Sequence, residues 1–270
     1  MPKQSVIPDK WEKTVLLQQN RKINKFIPET KKLDYEALQN MLKKHKMVYI
    51  KPSIGGGGVG IMKINKLKKK NSKQYKLQKI LNKKYFVTYD GLFNSIQSVT
   101  SKKEYIIQKG IYLCKYQDRL MDLRIMVQEN LKKEWEVTGL AARISGANKI
   151  VTNVNSGGVT VDFDTMLNHF FTNADKTRFL EMLHTISLET AKQLQKSYPN
   201  LKEIGVDIGL DRKMYPWILE VNTKPDPRVF FRDKRTIEKV VRYGRSYGRK
   251  YNLKPKYEHE KKFARKLGKM

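Results

Sequence analysis

An α+β fold is predicted by three features of the sequence. Gly205 to Asn222 holds two short runs of alternating apolar and polar residues about a turn-like Asp211 to Tyr215, which is the pattern of a β-hairpin. Met47 to Lys51 reads as a strand that enters Pro52 and a glycine-rich loop, with a second strand-like run at Ile61 to Ile64. Asp34 to Lys46 and Lys176 to Ser197 repeat their apolar residues at helical spacing.

Taken in order, residues 1 to about 32 are polar, with a helix-like stretch at Trp11 to Gln19. Asp34 to Lys46 places Tyr35, Leu38, Met41 and Leu42 on one face. Ser72 to Lys84 is expected to be helical, and Glu104 to Gln108 a strand ending at Gly110. Asp122 to Gln128 and Glu134 to Arg143 read as an antiparallel pair, and residues 144 to 160 as loop. The helix Lys176 to Ser197 turns Phe179, Leu183, Ile186 and Leu194 inward, and its His184 reads as packed or solvated. In the hairpin, Val206, Ile208 and Leu210 face one way and Asp207 the other. Trp217, Leu219 and Val221 face one way in the second run, with Glu220 and Asn222 opposite. A symmetric hairpin sets Asp207 across from Glu220. Facing carboxylates repel unless something positive sits between them. Two carboxylates and an amide oxygen are hard donors that suit Mg²⁺ shared with phosphate oxygens, and solvated acids on a surface hairpin are the plain alternative.

Composition narrows the classes. The 270 residues can bury a good core, with 39% apolar and 10% aromatic residues. No apolar run reaches membrane-spanning length, and the charged first twenty residues do not read as a signal peptide. One cysteine, Cys114, rules out intrachain disulfides and suits a reducing compartment. The four scattered histidines disfavour a zinc site or a Ser-His-Asp triad. The formal charge of +30 predicts attraction to polyanions and is silent on reaction type.

The glycine loop carries the strongest chemical signal. Gly55, Gly56, Gly57, Gly58 and Gly60 follow a buried-looking strand and Lys51. Gly55, Gly57 and Gly60 match the dinucleotide-binding spacing, but strand-like residues follow where that fold needs a helix. No Gly-Lys-Ser/Thr follows either, and no His-Arg-Asp or Asp-Phe-Gly motif supports a protein kinase. A strand, glycine loop and strand can close over a triphosphate, because bare backbone N–H groups point at phosphate oxygens. A flexible linker is the plain alternative.

These pieces, in this order, resemble the ATP-grasp superfamily, and within it the YheC/YheD-type endospore coat-associated branch. The resemblance spans about residues 8 to 250 and rests on Pro28-Glu29-Thr30, Lys51-Pro52 with its glycine loop, Asp122-Leu123-Arg124, Trp135-Glu136-Val137-Thr138-Gly139, Ser156-Gly157-Gly158 and Leu219-Glu220-Val221-Asn222-Thr223-Lys224-Pro225. The Asp207 to Glu220 spacing is similar to that of D-alanine–D-alanine ligases. The resemblance implies an ATP-grasp fold of two lobes with ATP between them: an N-terminal segment at 1–24, a small lobe at 25–104, a large lobe at 105–235 and a basic C-terminal helix or tail at 236–270. It implies that Lys51 contacts the α- and β-phosphates, with Ser53 and the loop Gly55 to Gly60 closing over the triphosphate. Gln108, Lys109 and Ile111 would read adenine at the hinge, and Asn153 would lie beside the γ-phosphate. Arg143, with Arg124, would act on the transferred phosphoryl group, and Asp207, Glu220 and Asn222 would hold two Mg²⁺ ions. Lys10 and Lys13 both qualify as a second phosphate-binding lysine. Arg124 and Arg143 equally fit plain ion pairs with Asp122 or Glu136, and Asp122 fits a role in orienting Arg124.

The function so implied is a Mg-ATP-dependent, ADP-forming ligase that joins a carboxylate to an amine or thiol through an acyl-phosphate, with peptide or cell-envelope precursors as its substrate class. The alternative is a nucleotide-binding spore-coat or scaffold protein without turnover. A cytoplasmic, spore-associated location is expected. Residues 231 to 270 hold 15 basic against 4 acidic residues. Tyr243, Tyr247 and Tyr251 recur every four residues among Arg242, Arg245 and Arg249, a stripe that fits a packed helix or a dock for nucleic acid or an anionic spore or membrane surface.

Overall fold

The computed structural model describes residues 4–70, 73–147, 149–152 and 157–255. Two six-stranded assemblies of β-structure carry the fold. The first sheet runs β1 (Thr30–Lys32), β6 (Tyr105–Lys109), β2 (Met47–Pro52), β3 (Met62–Lys70), β4 (Lys73–Lys79) and β5 (Asn82–Phe86), antiparallel throughout. Strand alternation sends Val48, Ile50, Ile64, Leu77 and Ile107 to one face. There they meet Leu38, Met41 and Leu42 of α2 (Tyr35–His45) and Leu92 and Ile96 of α3 (Tyr89–Thr100). Asp34 caps α2 by accepting from Ala37 N at 2.7 Å, which fixes where the helix begins. The same alternation leaves Tyr49, Lys51 and Gln108 on the other face, toward the second sheet.

The second sheet orders β10 (Val159–Val161), β9 (Trp135–Ile144), β8 (Arg119–Glu129), β11 (Glu203–Leu210) and β12 (Pro216–Asn222), with β7 (Lys115–Tyr116) paired to the start of β8. Leu123, Ile125, Val127, Val206 and Ile208 point into the large core under α5 (Asn173–Ser197) and α4 (Phe163–Phe170). Leu17 of α1 (Lys10–Gln18) joins that core, so the N-terminal helix rests on the second sheet. Asp122, Arg124, Arg143 and Asp207 lie on the opposite face. Farther along the sheet Met126 and Ala141 pack under Phe230 and Val240, the latter from α6 (Lys234–Ser246).

Five expectations are revised. In the stretch from Ser72 to Lys84 the described residues, from Lys73 on, form no helix: β4 and β5 make a hairpin, with Tyr75 and Leu77 on the core face. β6 belongs to the first sheet, so the chain passes between the sheets after Lys109 and not before Tyr105. Val159–Val161 forms a short strand within the stretch read as loop. In the β11–β12 hairpin Asp207 does pair with Glu220, but a bulge follows and Ile208 pairs with Ile218. Leu219 is therefore extra, and the faces exchange: Ile218 and Val221 enter the core while Leu219 lines the cleft. Finally, α6 ends at Ser246, so Tyr247 and Tyr251 are not on its helical stripe. Tyr243 is buried, and Tyr247 and Tyr251 reach the buried Glu203, as does Arg249 at 2.7 Å. Arg242 and Arg245 remain exposed.

Candidate functional site

A cleft of about 630 Å³, open to solvent, lies between the two sheets. Its walls include Tyr49 and Lys51 of β2, Lys109 and Ile111 after β6, Ile150 to Thr152, and Leu219 and Glu220 of β12. Apolar residues Ile61, Ile111, Leu113, Ile150 and Leu219 share it with Lys51, Asp122, Arg143, Asp207 and Glu220.

At one end the chain crosses between the sheets. Lys109 N donates to Glu29 O at 2.8 Å and Gly110 N to Met47 O at 2.9 Å, so these two amides are committed to the fold. A Cβ on Gly110 would lie 2.9 Å from the Met47 carbonyl oxygen, which is why glycine stands there. Beyond this crossing Ile111 and Leu113 line the cleft, with Leu113 N donating to Ile111 O at 3.0 Å. Lys109 extends its ammonium over the Trp217 ring, 4.3 Å from the centroid. The Gln108 side chain faces inward: its Oε1 accepts from Lys51 Nζ at 2.6 Å.

Lys51 sits between the sheets. Its ammonium also donates to the Leu219 carbonyl at 3.3 Å, a group that the bulge releases from the ladder. Burial pulls the Lys51 pKa below the usual lysine range, with Glu220 pulling the other way. The glycine loop begins just beyond Lys51. Gly60 takes φ +77°, and a Cβ there would lie 2.8 Å from the Pro52 ring, so the loop can fold back over Pro52 only with glycine at this position. Ser53 is not among the cleft's lining residues. It is buried, its hydroxyl bonds the Asp9 carboxylate, and its carbonyl accepts from Lys10 N at 2.8 Å. Asn153 lies outside the described residues.

Lys10 and Lys13 separate clearly. Lys10 Nζ donates to Gly55 O at 2.6 Å and stands 3.5 Å from Glu220, so it bridges the glycine loop and the hairpin. Lys13 Nζ donates to Ile7 O at 3.0 Å within its own segment, and burial lowers its pKa to about 8.

Opposite Lys51, four charged residues form a closed network. Arg143 clamps Asp122 with two bonds of 2.8 and 2.6 Å, and its Nη2 also reaches Asp207 Oδ2 at 3.1 Å. Arg124 holds Asp207 through both carboxylate oxygens, one of them at 3.0 Å. Thr152 donates to Asp122 at 2.6 Å, and Asn222 Nδ2 lies 3.4 Å from Asp207 Oδ2. Asp122 thus orients Arg143 and not Arg124, and Glu136 pairs instead with Lys239 and Tyr243. Burial pushes the Asp207 pKa up, but the two guanidiniums outweigh it and hold the carboxyl below its ordinary range. Burial likewise opposes the charge on Arg143, and Asp122 and Asp207 more than offset it.

The donor chemistry at Asp207, Glu220 and Asn222 fits a hard cation. Mg²⁺ takes one or two carboxylates and completes its shell with phosphate oxygens and water. Among the described residues no three His, Cys, Asp or Glu side chains gather as a metal cluster.

With this geometry in place, comparison with known proteins is direct. The model of the YheC/D-like ATP-grasp family matches residues 3–250. The chain belongs to this family. The endospore coat-associated protein YheC of Bacillus subtilis (strain 168) is 28% identical over 227 residues, 84% of this chain and 62% of its own length. The endospore coat-associated protein YheD of the same organism is 26% identical over 229 residues, 82% of this chain and 49% of its own. The chain therefore spans about half to six-tenths of these relatives. N5-carboxyaminoimidazole synthetase from Staphylococcus aureus superposes with a TM-score of 0.50 over 91% of this chain and 52% of that one, at 9% identity, a likeness of fold. Within this ATP-grasp fold, sequence reasoning missed Tyr49, Leu113, Ile150 and Thr152 as cleft residues. Tyr49 sits within the alternating strand β2 and Thr152 outside any helix or strand, and neither carries a motif. No helix among the described residues is long and apolar enough to cross a membrane.

Proposed function

We propose that this protein is a Mg-ATP-dependent, ADP-forming ligase that activates a carboxylate as an acyl-phosphate and transfers it to an amine or thiol. The observation that carries the reading is the convergence on one cleft of Lys51, Asp122, Arg143, Asp207 and Glu220, with Arg124 bonded to Asp207. Phosphoryl transfer needs positioning and charge neutralisation more than covalent help from the protein. In this reading adenine lies against Ile111, Leu113 and Ile150, with the Ile111 N–H as a donor. Lys51 and Lys10 turn from Gln108 and Gly55 to the phosphates. Arg143, held by Asp122, neutralises charge on the γ-phosphoryl group, and the glycine loop excludes water from the acyl-phosphate. Asp207, Glu220 and Asn222 would hold Mg²⁺, which supplies charge neutralisation on the phosphate oxygens.

The second reading is a nucleotide-binding coat protein without turnover. It draws on Asp207, whose two oxygens are both taken by guanidiniums and would have to be released to a cation. Titration calorimetry with ATP, with and without Mg²⁺, tests the shared premise. The expected result is Mg²⁺-dependent binding that Glu220→Gln weakens at least tenfold. Equal affinity of the wild type and Glu220→Gln in Mg²⁺ would remove the hairpin from the site.

A further inference from the structure

One edge of β9 is only partly covered by a strand. Ser145 N donates to Leu120 O at 2.8 Å. Antiparallel ladders alternate, so Ile144, Ala142 and Leu140 turn their backbone N–H and C=O groups away from β8. Ile144 and Ala142 lie opposite Val159 and Val161 of β10. β10 stops there, because Asp162 caps α4, and from Val137 to Ala141 no strand among the described residues covers that edge. These five consecutive residues all line one groove, with about 930 Å³ of space open to solvent. A bulge at Thr138 interrupts the alternation, yet residues on both sides of it line the groove together with groups from both layers, which places the groove along the strand edge. The groove is walled by Phe163 and His184 from one layer and by Phe230 and Thr236 from the other. Its charged groups are Asp162, Asp164 and Asp233 against Arg232. A net acidic groove in a chain of formal charge +30 runs against the sign of the whole molecule.

We propose that this groove binds an extended, basic peptide segment of a partner protein, which adds to β9 as a further strand along the line that β10 begins. The Leu140 N–H and C=O supply the first backbone pair, and Asp164 receives a lysine or arginine side chain in the field of the helix caps Asp162 and Asp233. An exposed strand edge selects an extended backbone, and the local charge selects the cationic partner. General electrostatics cannot produce this preference, since the molecule as a whole repels a basic peptide. The inference stands apart from the ligase reading, because the groove shares no residue with the nucleotide cleft.

The test is fluorescence anisotropy with a labelled peptide of alternating lysine and valine, about eight residues long. Its glutamate–valine counterpart and a version N-methylated at alternate backbone nitrogens serve as controls. The lysine peptide is expected to bind, and each control to bind at least tenfold more weakly. Asp164 is exposed but stands in the first turn of α4, so Asp164→Lys should lower the thermal unfolding midpoint by only a few degrees yet weaken the lysine peptide severalfold. Hydrogen exchange at the Leu140 amide should slow when peptide is added. Equal binding of the N-methylated peptide, or no response to Asp164→Lys, would overturn the proposal. So would a Leu140 amide already protected without peptide: protection rising with protein concentration would mean a second copy, and protection independent of it would mean an edge closed within the chain itself.

Discussion

Asp207→Asn probes the charge network directly. Asp122, Arg124, Arg143 and Asp207 are each less than one-tenth exposed, and their charges sum to zero. Asp207 touches both guanidiniums, at 3.0 Å to Arg124 and 3.1 Å to Arg143. At an effective dielectric of about 20, each such contact is on the order of 5 kcal/mol of Coulomb energy, most of it offset by desolvation. Removing one partner leaves a net buried cation, the case that costs about 3–5 kcal/mol. Urea unfolding near neutral pH should show a loss of that size. Asp122→Asn should cost less, since Arg143 keeps Asp207. The pH sign follows from the direction of the shift. Asp207 sits below its ordinary value of 3.8, so its contribution is fully present above that value and is lost as pH falls through the depressed one. The gap between wild type and Asp207→Asn should be flat above about pH 5 and close only in acid. A loss below about 1 kcal/mol at neutral pH would refute the view that these four residues form one desolvated unit.

Two further outcomes are expected. Lys51→Met should weaken ATP by about ten- to a hundredfold, the worth of a charge-assisted contact, as read by calorimetry. Burial holds the Lys13 pKa near 8, below the 10.5 of the unfolded chain, so the unfolded state binds more protons between those values and stability from this residue rises with pH. Across that window the stability difference between wild type and Lys13→Met should move by roughly 3 kcal/mol in favour of wild type, and a parallel pH dependence in the two would contradict it.

Much of this was legible in the sequence, for identifiable reasons. Alternation about the Asp211 turn is enough to place the hairpin, but the turn register, with Leu210 opposite Pro216 and Ile208 opposite Ile218, would bring Leu219 opposite Asp207, and only the bulge puts Glu220 there. Alternation is not enough to see the bulge at Leu219, which no side chain in the run announces and which decides who lines the cleft. Lys73 to Lys79 does alternate, with Tyr75 and Leu77 inward, but its lysines and glutamines are good helix formers. The turn that ends it carries no Asn-Gly signal: Ile80, a β-branched residue, takes φ +50°. The tyrosine spacing at 243, 247 and 251 follows helical period without a helix beyond Ser246, because Glu203 and Gln128 draw Tyr247 and Tyr251 inward. Arg143, Lys51 and the acids could be named from motif, whereas which acid holds which arginine depends on strand register that only the folded sheet supplies.

The most direct measurement is product analysis of ATP turnover in the presence of hydroxylamine and a pool of carboxylates. Arg143, Asp207 and Glu220 line one cleft with Lys51, and in the proposed reading attack is expected at the γ-phosphate with ADP leaving. The account predicts carboxylate-dependent ADP and phosphate, with a hydroxamate that marks the acyl-phosphate. AMP and pyrophosphate, or tight Mg²⁺-dependent ATP binding with no turnover on any carboxylate, would contradict it.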